Sequence, residues 1–301
     1  MNILNFNIAA VERETGLSKD VLRMWERRYG FPLPDRDTNG ERLYPAAQLD
    51  RLRLIKRLMD QGHRPGKLIA ASNEELAQLA PRHAENRQTS FTDSTGELAE
   101  LLALIKQHDA PGYQQAMQQR LARQGFQRFV QDIVAPLTEH VGKAWENGSF
   151  EVFEEHLFTE LTKRLLRQAI ATLPGGSRSP RIVLTTVPDE QHVLGLLLVE
   201  GLFALEGAEC IPLGTQMPLR EISRAAVAHQ ADIVALSFST AFPRRQISGV
   251  LEQLRQMLPT NIALWIGGQG AAGHSTSEDF RVLHSLDDAL CSLAKWRENF
   301  K

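Results

Sequence analysis

The spacing in this chain that most suggests chemistry is Val187-Pro-Asp-Glu190-Gln-His192-Val-Leu-Gly195, which leaves one apolar run and enters another. Histidine is the commonest protein metal ligand, although a lone histidine is more often hydrogen-bonded or solvent-facing. Two further signals fall at equivalent places: Ser237-Phe-Ser239-Thr240 ends one apolar run, and Gly267-Gly268-Gln-Gly270 follows another. In open α/β sheets ligands bind beyond the carboxyl ends of the strands, so the three segments converge on one edge. Taken singly, such glycines serve nucleotide sites and plain turns alike. Upstream, Trp145 is followed after nine intervening residues by Glu155-His156; a lone Trp there reads as a core aromatic. At the other end, Lys19, Arg23, Arg27 and Arg28 crowd one short segment and could meet anions.

The elements that must position these groups follow from periodicity. After Pro174-Gly175-Gly176-Ser177, short apolar runs at 182–187, 209–213, 233–238 and 262–266 alternate with helical patterns near 193–206, 218–229, 243–257 and 279–299. That alternation predicts a doubly wound parallel sheet of Rossmann-like type. The 193–205 stretch contains Glu200 and is too short to span a bilayer, so it reads as a buried helix. Before it, helical patterns at 97–108, 111–123, 126–146 and 150–173, with short connections, predict a four-helix bundle.

Residues 3–15, with Phe6, Ile8 and Val11 on one side, read as a short helix ending at Gly16. A second helix starts from Ser18 as N-cap and buries Val21, Leu22 and Trp25. Residues 37–44, with Asn39-Gly40 at the tip, read as a hairpin wing, and Pro45 opens a third helix through about Gln61. A short helix around residues 65–71 follows, and the polar, aperiodic residues 80–96 read as a linker. The expected domains are therefore 1–79, an all-α winged helix-turn-helix; 97–176, a bundle; and 177–301, an α/β sheet.

Charge supports this division. Residues 1–67 hold 13 Lys and Arg against 9 Asp and Glu, a net of +4 within a chain whose formal charge is −2. The basic module is local, as an anion-binding domain on an acidic body would be. Cys210 and Cys291 have no zinc or disulfide spacing, and the N-terminus lacks a signal peptide's pattern, so a cytoplasmic protein with no membrane association is expected.

The run from Ile8 to Phe31, followed by Gly40-Glu-Arg-Leu-Tyr44, resembles the winged helix-turn-helix of the MerR family. The resemblance implies that double-stranded operator DNA is met by Lys19, Arg23, Arg27 and Arg28, with Arg42 and Tyr44 at the wing. Trp25 and Tyr44 are also expected to pack between elements. Such regulators bind two-fold related sites as dimers.

Glu190-x-His192-x-x-Gly195 resembles the Asp/Glu-x-His-x-x-Gly motif of cobalamin-binding domains, in which the histidine is the lower axial cobalt ligand. The carboxylate of Glu190 would orient the ring, while Ser237, Ser239, Gly267 and Gly268 match positions that house the nucleotide tail. Trp145, Glu155 and His156 resemble the capping set of light-sensing, adenosylcobalamin-dependent regulators of the CarH and LitR type. One departure stands out: that group has a histidine directly after the Trp, and this chain has Glu146.

The resemblance thus implies a non-enzymatic repressor whose homo-oligomeric state, dimer or tetramer, depends on adenosylcobalamin. Cofactor in the dark would hold subunits on DNA, and light would displace the bundle and release the operator. An alternative is a MerR-like regulator whose C-terminal half meets a protein partner, a photoreceptor or an anti-repressor. An enzymatic role, such as methyl transfer with a separate partner, lacks the large substrate barrel it would need.

Overall fold

A computed structural model describes residues 5–37, 40–60, 63–79, 94–146, 148–173 and 178–299. The chain forms two compact units, one of residues 1–90 with 146–149, the other of residues 91–145 and 150–301. The expected linker falls almost wholly outside the described residues, as does Asn39 at the tip of the wing.

In the first unit, strand β1 (Asn5–Asn7) precedes helix α1 (Ile8–Thr15), and helix α2 (Lys19–Tyr29) follows. Asn7 caps α1 by accepting from Ala10 N at 2.8 Å, and Gly16 closes it in the left-handed region at φ 69°. Strands β2 (Asp35–Arg36) and β3 (Arg42–Pro45) form the wing, and helices α3 (Ala46–Asp60), α4 (Pro65–Ala70) and α5 (Asn73–Leu79) complete the unit. The wing is three-stranded rather than two-stranded, in the order β1-β3-β2, because β1 pairs with β3 through Phe6 opposite Tyr44. The helix expected over 3–15 therefore begins only at Ile8, and α5 answers to no pattern seen in the sequence. The core gathers Val11, Leu22 and Trp25 with Tyr44, Leu49, Leu52 and Ile55. Arg51 fastens α3 to the α4–α5 connection through Asn73 Oδ1 at 2.7 Å and the Ala71 carbonyl at 2.7 Å.

The second unit opens with helices α6 (Ser94–Lys106), α7 (Ala110–Arg128), α8 (Ala135–Glu146) and α9 (Val152–Ala171), the expected bundle. Gly125, at φ 76°, breaks α7 near its end, and a π-helical segment, Phe129–Val134, links it to α8. Strands β4 (Arg178–Thr185), β5 (Ala208–Gly214), β6 (Ile233–Ser237), β7 (Ala263–Gly267) and β8 (Arg281–Leu283) alternate with helices α10 (Leu194–Leu205), α11 (Leu219–Ala228), α12 (Arg244–Met257) and α13 (Leu286–Asn299). The sheet is parallel throughout, in the order β5-β4-β6-β7-β8. The helix expected over 279–299 gives way at its start to β8, and α13 begins at Leu286.

Alternation along the strands feeds both faces. Val183, Val234, Leu264 and Ile266 pack with Ile222 of α11 and Leu251 of α12, whereas Ile182, Leu184, Ala235 and Trp265 pack with Phe203 of α10 and Leu293 of α13. Helix α10 is apolar around nearly all of its circumference, Glu200 excepted, because it has two neighbours. Its Leu196 and Phe203 join the sheet core, while Leu194, Leu197, Leu198 and Leu202 belong to the core of the bundle. The close approach is made at Gly201, where a Cβ would stand 2.3 Å from Phe126 Cζ. Arg167 of α9 also donates from its Nη1 to both carboxylate oxygens of Glu200, at 2.9 and 3.0 Å.

Candidate functional site

The strand order reverses between β4 and β6, and the segments after these two strands meet there. Leaving β4, the chain turns sharply: Glu190 N donates to the Val187 carbonyl at 3.1 Å, with Asp189 left-handed at φ 68°. Thr186, fully buried, donates its hydroxyl to the Glu190 carbonyl and accepts from Gln216 N at 2.8 Å, tying the turn to the end of β5. Thr185 adds a bond to the Gly214 carbonyl at 2.9 Å. Neither threonine was singled out from sequence, although a Thr pair ending an apolar run was a visible signal.

The turn sets Glu190, only 1% exposed, under His192. Its Oε1 accepts from His192 N at 3.0 Å and pairs with His192 Nδ1 at 2.7 Å, and its Oε2 accepts from Ser239 N at 2.7 Å and Ser239 Oγ at 2.8 Å. Burial alone would push the Glu190 carboxyl up, but the hydrogen bonds from His192 and Ser239 outweigh it and hold the group below its ordinary value. A charged carboxylate fixes the donor proton on Nδ1 and leaves the ring lone pair on Nε2. Ser239 Oγ also lies 2.9 Å from Nδ1. Glu190, His192 and Ser239 are thus one clamp.

The other strand-end residues crowd in beside it. A Cβ on Gly195 would lie 2.8 Å from Ser237 Oγ, so glycine lets α10 start beside the end of β6 with that hydroxyl in place. Gly268 is left-handed at φ 89°, and a Cβ there would stand 2.3 Å from the Phe238 carbonyl oxygen. Gly267 accepts from Phe238 N at 2.9 Å. In the bundle, Glu155 Oε2 pairs with His156 Nδ1 at 2.7 Å and Oε1 accepts from Thr159 at 2.8 Å, while Trp145 is half-buried against the bundle core. The side chain of Glu146 lies outside the described residues.

In the first unit, Arg23, Arg27 and Arg28 are exposed on α2. Lys19 is engaged with Glu12 of α1, through its backbone N at 3.1 Å and its Nζ at 3.5 Å. Arg42 bonds Glu26 at 2.8 and 3.4 Å, which fastens the wing to α2. Tyr44 is not on that surface: it is 0% exposed, in the core with Trp25, because pairing opposite Phe6 turns its ring inward. Tyr44 is therefore a core residue and not a DNA contact.

Comparison with known proteins agrees with this arrangement. Residues 6–70 match the MerR HTH family regulatory protein model, and residues 97–170 and 180–294 match two B12 binding domain models. The HTH-type transcriptional repressor CarH of Myxococcus xanthus is 31% identical over 282 residues, covering 92% of this chain and 93% of the relative. The chain belongs to the MerR-type transcriptional regulators that carry B12-binding domains. The repressor CarA of the same organism is 28% identical over 274 residues, covering 90% of this chain and 89% of its own. The fold of the Methanosarcina barkeri monomethylamine corrinoid protein is matched with a TM-score of 0.54 at 13% identity, over 67% of this chain and 100% of that one. This MerR-type regulator thus joins a DNA-binding unit to a B12-binding half, and among its described residues no helix is long and apolar enough to cross a membrane.

Proposed function

We propose that this regulator is a repressor that binds adenosylcobalamin and uses it to sense light or cofactor supply, through its homo-oligomeric state on operator DNA. The observation that carries the reading is the clamp: a buried carboxylate aligns His192 and leaves Nε2 as a basic nitrogen suited to cobalt. The residues fit the group in a second way, since the glycines at 195 and 268 keep side chains out of the crowded strand ends where a nucleotide tail would run. Bound adenosylcobalamin would supply a cobalt that accepts an imidazole nitrogen and a cobalt–carbon bond that light can break.

The roles of the chain's own residues follow. Glu190 and Ser239 orient His192; Ser237, Gly267 and Gly268 line the tail's path; Trp145, Glu155 and His156 cap the site from the bundle. Lys19, Arg23, Arg27, Arg28 and Arg42 face DNA, and linkage requires the cofactor to favour one assembly state over another. The test is to load the purified full chain with adenosylcobalamin in the dark and record absorbance and mass in solution before and after green light. A spectrum showing histidine ligation and a light-dependent change of mass are expected; no change in either sinks the light switch.

A second reading, a C-terminal half that binds a protein photoreceptor or anti-repressor, is favoured by Glu146, which stands where the light-sensing group has its histidine. His192→Ala separates the two. Loss of pigment binding and of cofactor-dependent regulation supports the first, and unchanged regulation supports the second.

A further inference from the structure

Helix α2 presents an outward stripe of Asp20, Arg23, Met24 and Arg27, at i, i+3, i+4 and i+7, opposite the buried Leu22 and Trp25. The polar groups around its N-terminal half are mostly committed to the fold. The Ser18 hydroxyl caps the helix by accepting from Val21 N at 3.3 Å, Lys19 is held by Glu12, and Arg42 is held by Glu26. Asp20 and Arg23 are different. Their side chains are 92% and 50% exposed, touch each other at only 3.5 Å, and line one shallow recess of about 390 Å³ with Arg27 and Arg42. An exposed pair of this kind is worth little, so it can be given up for other partners.

A carboxylate among arginines on a DNA-facing surface is costly beside phosphates unless it accepts a hydrogen bond from a base edge. In the major groove a carboxylate accepts from the cytosine N4 amino group, and arginine reads guanine O6 and N7. Recognition helices meet base edges with their N-terminal residues, where Asp20 stands. We propose that Asp20 and Arg23 are the specificity pair of this regulator, reading a guanine–cytosine site in each operator half-site, Arg23 at guanine and Asp20 at cytosine. The inference rests on the DNA-binding reading and adds to it the sequence class that is read.

The competing role for Asp20 is local: an acid in the first turn suits the helix dipole. That role is blind to DNA sequence. Selection of bound duplexes from a randomised library by the full chain, with and without adenosylcobalamin, separates them. A G·C pair fixed in each half-site is expected. D20A should flatten the cytosine preference by roughly tenfold without weakening binding to unrelated duplexes, and D20N should move it toward adenine, whose N6 and N7 suit an amide. An A·T pair fixed at those positions, or an unchanged preference in both variants, overturns the proposal. Enrichment of no duplex at all overturns the DNA-binding reading itself, an outcome distinct from binding without G·C preference.

Discussion

Glu190 shows how one buried carboxylate can set both stability and ligand geometry. Its folded-state proton affinity lies below the ordinary value of 4.5, so the stability it contributes is present above about that pH and lost as pH falls through the lower folded value. Acid unfolding curves should therefore be steeper below pH 4.5 for the native chain than for Glu190→Gln. The same variant presents an amide N–H where a carboxylate accepted, and should weaken cobalamin binding by roughly 10- to 100-fold in a spectroscopic titration. On DNA, Arg27→Ala should lower affinity for all duplexes alike and reduce the salt slope by about one. Arg42→Ala should change that slope less, because Glu26 already offsets its charge. The Glu-x-His spacing was legible in the sequence because a two-residue offset is a local pattern. The contribution of Ser239 to the clamp was not, since it is made across the sheet, 49 residues away. Tyr44 carried two readings, a wing contact with DNA and a packing residue between elements, and the pairing of β1 with β3 decides for packing.

At the scale of elements, the sequence showed the helices of the bundle and four of the sheet's strands, whose apolar runs are long enough to carry a period. It hid β1 and β8, each 3 residues long, because so short a strand displays no alternation and exists only by pairing with a neighbour. The close approach of α10 to Phe126 of α7 at Gly201 was equally silent. Gly201→Ala would gain about 1 kcal/mol in helix propensity but must push back the buried ring of Phe126, an overpacking cost of about 1–3 kcal/mol. A net loss of about 1 kcal/mol is expected in the denaturant midpoint, and a gain would mean that the ring moves aside freely.

For the molecule as a whole, the bundle and the sheet are joined by a polar tie as well as an apolar seam. Burial pushes the Glu200 carboxyl up, and Arg167 only partly offsets this. A raised folded value means that the charged form costs stability as pH rises through it. Arg167→Ala leaves the buried Glu200 carboxylate without its donor and should therefore destabilise the protein by about 1–3 kcal/mol at neutral pH and less in acid, as thermal unfolding at the two pH values would show. The seam itself limits how this protein can move. Leu194, Leu197, Leu198 and Leu202 are shared with the bundle core, and at about 1.5–3 kcal/mol each their exposure would cost on the order of 6–12 kcal/mol. A bundle that slides along α10 with these leucines still covered therefore meets far less resistance than one that detaches.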